Sequence, residues 1–149
     1  MKKIFAVLIS VSILISLASC SEPRDVSVMM DEFLYLYGAD GTVYLSDSGE
    51  EDDGYITDEL LSRIYMTDGE FPESFAIFLN TRPDFGAECG FFLARDTAES
   101  ERVIDMCRER MSLLDPSGDR SFVASSGRIV FYSTMPDREL ARRIWESLV

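Results

Sequence analysis

The sequence predicts an α+β domain: a mainly antiparallel sheet built from two β-hairpins, with helices packed on it in two layers, in the order α-α-β-β-α-β-β-α. Three observations predict it. Two pairs of short β-prone, largely apolar segments, at 74–95 and 121–133, are each broken by turn residues. A segment with helical apolar spacing follows each pair. The strands within each pair are also too close for a helical crossover, which leaves hairpins and an antiparallel sheet.

Taken in order, residues 25–37 form the first helix, with Val26, Met29, Met30, Phe33 and Leu36 or Tyr37 at helical spacing and Gly38 as its C-cap. A loop follows to Gly54, with a short strand conceivable at 42–45. Its acidic run holds Asp47, Glu50, Glu51, Asp52 and Asp53. Like charges at this density favour solvent, and the run lacks the alternating ligand spacing of a calcium loop. Thr57 and Asp58 cap a second helix at 58–66, carrying Leu60, Leu61, Ile64 and Tyr65.

The strand at 74–80 puts Phe75, Ile77 and Leu79 on one face and Ala76 and Phe78 on the other. Both faces are apolar, so both should be covered. Arg82-Pro83-Asp84-Phe85-Gly86 is a turn, and 88–95 is the partner strand. Asp96-Thr97-Ala98-Glu99 has the capping-box spacing and opens the longest helix, 97–114, whose stripe is Val103, Ile104, Cys107, Met111 and Leu114. Its other faces, with Glu99, Asp105 and Arg110 among their charges, read as solvated. Asp115-Pro116-Ser117-Gly118 stops it. Strands at 121–124 and 128–133 flank Ser125-Ser126-Gly127, and a last helix runs from Asp137 to about Leu148.

Ahead of this domain, Lys2 and Lys3 precede 14 residues, 4–17, interrupted only by Ser10, Ser12 and Ser16. That run is shorter than the roughly 20 residues a membrane span needs, and it has the form of a secretory signal. It ends in Leu17-Ala18-Ser19-Cys20. These four residues resemble the lipobox of bacterial lipoprotein signals. The resemblance implies cleavage before Cys20 and a diacylglycerol thioether on Cys20, often with N-acylation (palmitate and similar chains). More than one acyl chain makes such anchoring stable. The expected organisation is a signal peptide at 1–19, a tether at 20–24 and one domain at 25–149. The domain would sit on the outer face of the cytoplasmic membrane, or face the periplasm in a two-membrane cell.

The 14 basic and 27 acidic residues lose only Lys2 and Lys3 with the leader, so the mature chain carries a net charge of −15. Such a surface argues against nucleic acid and against adhesion to anionic headgroups. The chain has no histidine. This removes the commonest general base and metal ligand, and every Ser-His or Cys-His arrangement. No catalytic residue, metal site or cofactor is indicated.

Over 74–133 the chain resembles the domain of unknown function 4358 family, bacterial surface lipoproteins. The matching residues are Glu88-Cys89-Gly90-Phe91-Phe92-Leu93-Ala94 running into Asp96, the helix containing Val103, and the strand pair across Gly127 to Phe131. Cys89 stands where the family usually has an aliphatic residue, and 115–120 looks short. The resemblance implies a lipidated, extracytoplasmic α+β domain and carries over no catalytic residue.

Two thiols remain in the domain, Cys89 and Cys107. They are a candidate disulfide, since the long helix must fold back over its own strand and an exported location permits oxidation. Two buried free cysteines or a redox pair are the other readings. Tyr35 and Tyr132, which point away from the apolar stripe or strand face, are candidates for a partner surface. The expected role is a membrane-anchored, non-enzymatic module that binds an envelope protein or polymer. The competing expectation is an envelope hydrolase using acidic residues.

Overall fold

The computed structural model describes residues 24–67, 71–80 and 87–149. The leader, Cys20, most of the tether and the turn at 82–86 lie outside the described residues. The elements are α1 (Val26–Tyr37), β1 (Thr42–Leu45), α2 (Asp58–Ile64), β2 (Ser74–Leu79), β3 (Glu88–Leu93), α3 (Thr97–Leu114), β4 (Phe122–Ser126), β5 (Ile129–Ser133) and α4 (Arg138–Leu148). The five strands form one antiparallel sheet in the order β1-β2-β3-β5-β4. The α+β class, the two hairpins and the helices on the sheet are as the sequence predicts. The conceivable strand at 42–45 is real and adds the fifth strand.

The layer count differs. Helices cover both faces, so the domain has three layers rather than two. On one face α1 and α4 pack over Ala76, Phe78, Cys89, Phe91, Phe122 and Phe131. On the other, α2 and α3 cover Phe75, Ile77, Phe92, Val130 and Tyr132. The alternation in β2, β3 and β5 requires this. Each strand is apolar on both sides, and leaving either side wet would expose several aromatic rings.

Side chains fix the helix starts. The Asp25 carboxylate accepts from the Ser27 amide at 2.9 Å, and Thr57 Oγ1 from Leu60 at 3.2 Å. Asp137 accepts from Leu140 at 2.9 Å. Gly38 ends α1 at φ +74, a left-handed conformation, with its amide on the Leu34 carbonyl at 2.9 Å. The β4–β5 turn is displaced one residue from expectation. Ser125 and Ser126 belong to β4, and Gly127-Arg128 turns the chain, with Gly127 at φ +58 as a two-residue hairpin favours.

The acidic run is exposed, as expected, but it is tied to the sheet. Asp52 accepts from the Gly49 amide at 2.7 Å. The Leu45 amide donates to the Gly54 carbonyl at 3.2 Å, so the end of the run folds back along β1.

Candidate functional site

The candidate disulfide is corrected by the topology. Cys89 lies in the core under α1 and α4, its thiol 3.9 Å from Met30 Sδ. Cys107, on α3, lies in the opposite core. Both are buried and free. The sheet separates them, because Cys89 shares strand parity with Phe91 while α3 crosses the face of Gly90 and Phe92. Burial, then the Glu88 charge, pushes both thiols well above their ordinary range. They stay neutral and behave as small apolar core residues.

The two tyrosines part company. Tyr35 is 86% exposed on α1, on the outward flank the sequence assigned to it. Tyr132 is a correction: it is fully buried. The expectation gave β5 one solvated face, whereas β5 lies between β3 and β4 with α3 above Tyr132.

Tyr132 belongs to a buried polar chain that sequence reasoning missed. Its hydroxyl donates to Glu88 Oε1 in a short hydrogen bond and accepts from the Tyr65 hydroxyl at 2.6 Å. Arg110 grips the same carboxylate with two N–H groups, Nε to Oε1 at 3.0 Å and Nη2 to Oε2 at 2.6 Å. Its Nη1 reaches the Ile64 carbonyl at 3.4 Å, and its guanidinium lies 6.0 Å from the centre of the Tyr65 ring. The four side chains come from the C-cap of α2, from β3, from α3 and from β5, so the chain ties these four elements together at one point. Burial first, then the Glu88 charge, pushes both phenols well above their usual range, which keeps them protonated as donors. One signal was present in the sequence: Arg110 lies seven residues from Val103 and three from Cys107, in phase with the α3 stripe rather than with its wet face.

Two further carboxylates are buried and anchored. Glu99, expected on the solvated face, is 2% exposed. It accepts from the Arg95 side chain and backbone amide and lies 3.3 Å from Arg102, and these contacts, led by the Arg95 side chain, hold it below the ordinary carboxylate range. This extends the predicted capping box by one residue, since Glu99 reaches the amide before Asp96 while Asp96 accepts from Glu99 at 2.8 Å.

Asp115 organises the α3–β4 corner. It accepts from Ser121 Oγ at 2.7 Å, the Arg120 and Ser121 amides at 2.9 Å, and Ser117 Oγ at 3.1 Å. These bonds, Ser121 Oγ foremost, lower its pKa from 3.8 to about 2. The folded value lies below the unfolded one, so the contribution is complete above pH 3.8 and is lost as pH falls through about 2. Asp115→Asn is expected to cost on the order of 1–2 kcal/mol at neutral pH, by that linkage discounted for the corner's closeness to solvent. Urea unfolding at stepped pH checks it: the difference between wild type and variant should narrow as acid protonates Asp115 in the wild type. A constant difference would contradict this account.

A concavity lies at the end of the sheet where β1 and β3 finish and β2 begins. Two adjoining hollows of about 420 and 470 Å³ share Ser46, Glu73 and Phe75. One continues to Arg24, Asp25 and Asp47, the other to Asp58, Phe71 and Arg95. Its floor is aromatic and its rim carries more carboxylates than cations. Arg24 borders it and is clamped by a 2.6 Å bond from Nη1 to the Leu148 carbonyl at the end of α4. Among the described residues, no cluster of three or more cysteines and carboxylates is placed to hold a metal ion. No family model, no curated protein and no solved structure matches this chain.

Proposed function

We propose that this protein is a lipid-anchored extracytoplasmic module that binds an envelope protein or polymer without transforming it. The observation that carries the reading is the series Lys2-Lys3, the apolar run and Leu17-Ala18-Ser19-Cys20. The fold supports it in one respect. Among the described residues the first is Arg24, four residues beyond Cys20, and it is clamped to the Leu148 carbonyl. At up to ~3.6 Å per residue, that tether spans at most about 14 Å. The groove beside Arg24 would then open toward the membrane-facing end of the domain, within reach of envelope components close to the lipid surface. The resemblance to lipidated surface domains agrees with this placement.

Mass spectrometry of the protein from its membrane fraction tests the anchor. The expected result is a chain beginning at Cys20 with a diacylglyceryl mass added. Cys20→Ala should release the domain from membranes. A mature chain beginning elsewhere, or a Cys20→Ala protein that still fractionates with membranes, would overturn the reading.

A further inference from the structure

The two edges of the sheet are treated differently. In the β4–β5 ladder, closed by a two-residue turn, the pairs Ser126↔Ile129, Ala124↔Phe131 and Phe122↔Ser133 exchange hydrogen bonds. The alternation agrees with the far side of β5, where the Thr134 amide bonds to the Glu88 carbonyl at 2.8 Å and the Arg128 carbonyl accepts from Ala94 at 2.8 Å. Val123 and Ser125 therefore aim their N–H and C=O groups outward, and among the described residues no backbone partner meets them. At the opposite edge the outward amide of Leu45 is covered by Gly54 of the chain's own acidic loop. β4 also lacks the charged residue or proline that usually blunts an open edge.

Two guanidiniums of α4, one of them packed on the start of this edge strand, have no hydrogen-bond or ion-pair partner among the described residues. Arg142 lies over the Phe122 ring of β4, 5.4 Å from its centre. Arg138 is one turn earlier on the same flank of α4. The Nε atoms of both are buried and lack a hydrogen-bond partner. Among the described residues, Arg24, Arg63, Arg95, Arg102, Arg108, Arg110, Arg120 and Arg128 each reach a carboxylate or a backbone carbonyl. Three described arginines reach neither: Arg143 is exposed to solvent, while Arg138 and Arg142 lie on one flank of α4 with their Nε atoms buried, Arg142 over the first residue of β4, in a chain with 27 acids.

We propose that the β4 edge takes up an extended acidic segment of a partner protein as a sixth strand, with Arg142 and Arg138 reading its carboxylates. The backbone groups of Val123 and Ser125 supply sequence-independent affinity, and the arginines supply the selection for acid at alternate positions. Charge argues against a second copy as the occupant. Symmetric β4–β4 pairing would bring each Arg142 toward its counterpart, and like charges at an edge oppose self-pairing.

The test uses the purified full chain and a fluorescent, end-capped heptapeptide of alternating valine and glutamate. Its control has lysine in place of each glutamate. Anisotropy titration should show the acidic peptide binding at least tenfold more tightly than the basic one. The double variant Arg138→Ala/Arg142→Ala should lose at least tenfold and bring the two peptides together. Val123→Pro removes an outward amide and no ladder bond, so it should abolish binding while the circular dichroism spectrum is kept; Ser125→Pro is the second such variant. Equal affinity for both peptides, no binding at millimolar peptide, or binding unchanged in a folded proline variant would overturn the proposal. So would a concentration-dependent dimer in sedimentation that Val123→Pro abolishes, since the edge would then serve a second copy.

Discussion

Arg110→Ala is expected to destabilise the fold by about 3–5 kcal/mol, the range for removing one partner of a buried ion pair. Glu88 is 3% exposed, and Arg110 supplies two of the three donors on its carboxylate. Without the guanidinium the charge would retain only the Tyr132 hydroxyl in a site walled by Tyr65, Cys107 and Phe92. The same truncation releases the Ile64 carbonyl at the end of α2, so α2 should loosen first. Urea unfolding measures the loss, and hydrogen exchange at residues 58–64 locates it. The pair Glu88→Gln/Arg110→Met should be less destabilised than Arg110→Ala alone, because it removes the stranded charge together with its partner. If the double variant is the worse of the two, the carboxylate is not what the arginine serves.

Such a pair is hard to see in one sequence. Glu88 and Arg110 are 22 positions apart, and Glu88 opens its strand, where a charged residue reads as wet. Their burial comes from α3 lying back across the start of β3, which is a fact of packing. Local signals fared better. The alternation of Phe75 and Ile77 against Ala76 and Phe78 foretold a strand covered on both faces. Asp96 and Glu99 foretold the start of α3, and Gly38 the end of α1. The third layer followed from the same alternation in β5, but a tyrosine at position 132 reads as amphipathic until its hydroxyl has a named acceptor. The groove was not legible at all. Arg24, Ser46, Asp58 and Phe75 lie on four separate segments that meet only at one end of the finished sheet. The open β4 edge was equally hidden, since it depends on which hairpin strand ends up outside.

Gly90→Ala is expected to cost roughly 1–3 kcal/mol, the usual range for overpacking a full core, despite adding a single methyl group. Gly90 sits in the centre of β3, opposite Ile77 on β2 and Tyr132 on β5. A Cβ there would come within 2.6 Å of Tyr132 Cε1 and within 3.1 and 3.2 Å of the Phe92 ring. An unrestrained ring would turn aside. Tyr132 is held at its far end by Glu88 and Tyr65, and its face is stacked on Phe92 at 6.0 Å between centres. Giving way would therefore break the hydrogen-bonded chain or push the strands apart. The cost should be coupled to the ring: Tyr132→Ala alone should be strongly destabilising, in the range of about 3–5 kcal/mol for loss of a large aromatic. Adding Gly90→Ala to it should cost much less than it does in the wild type, because the obstructing carbon is gone. Thermal unfolding of the four proteins closes this cycle. Additive losses would mean that the glycine is kept for its backbone rather than for the ring beside it.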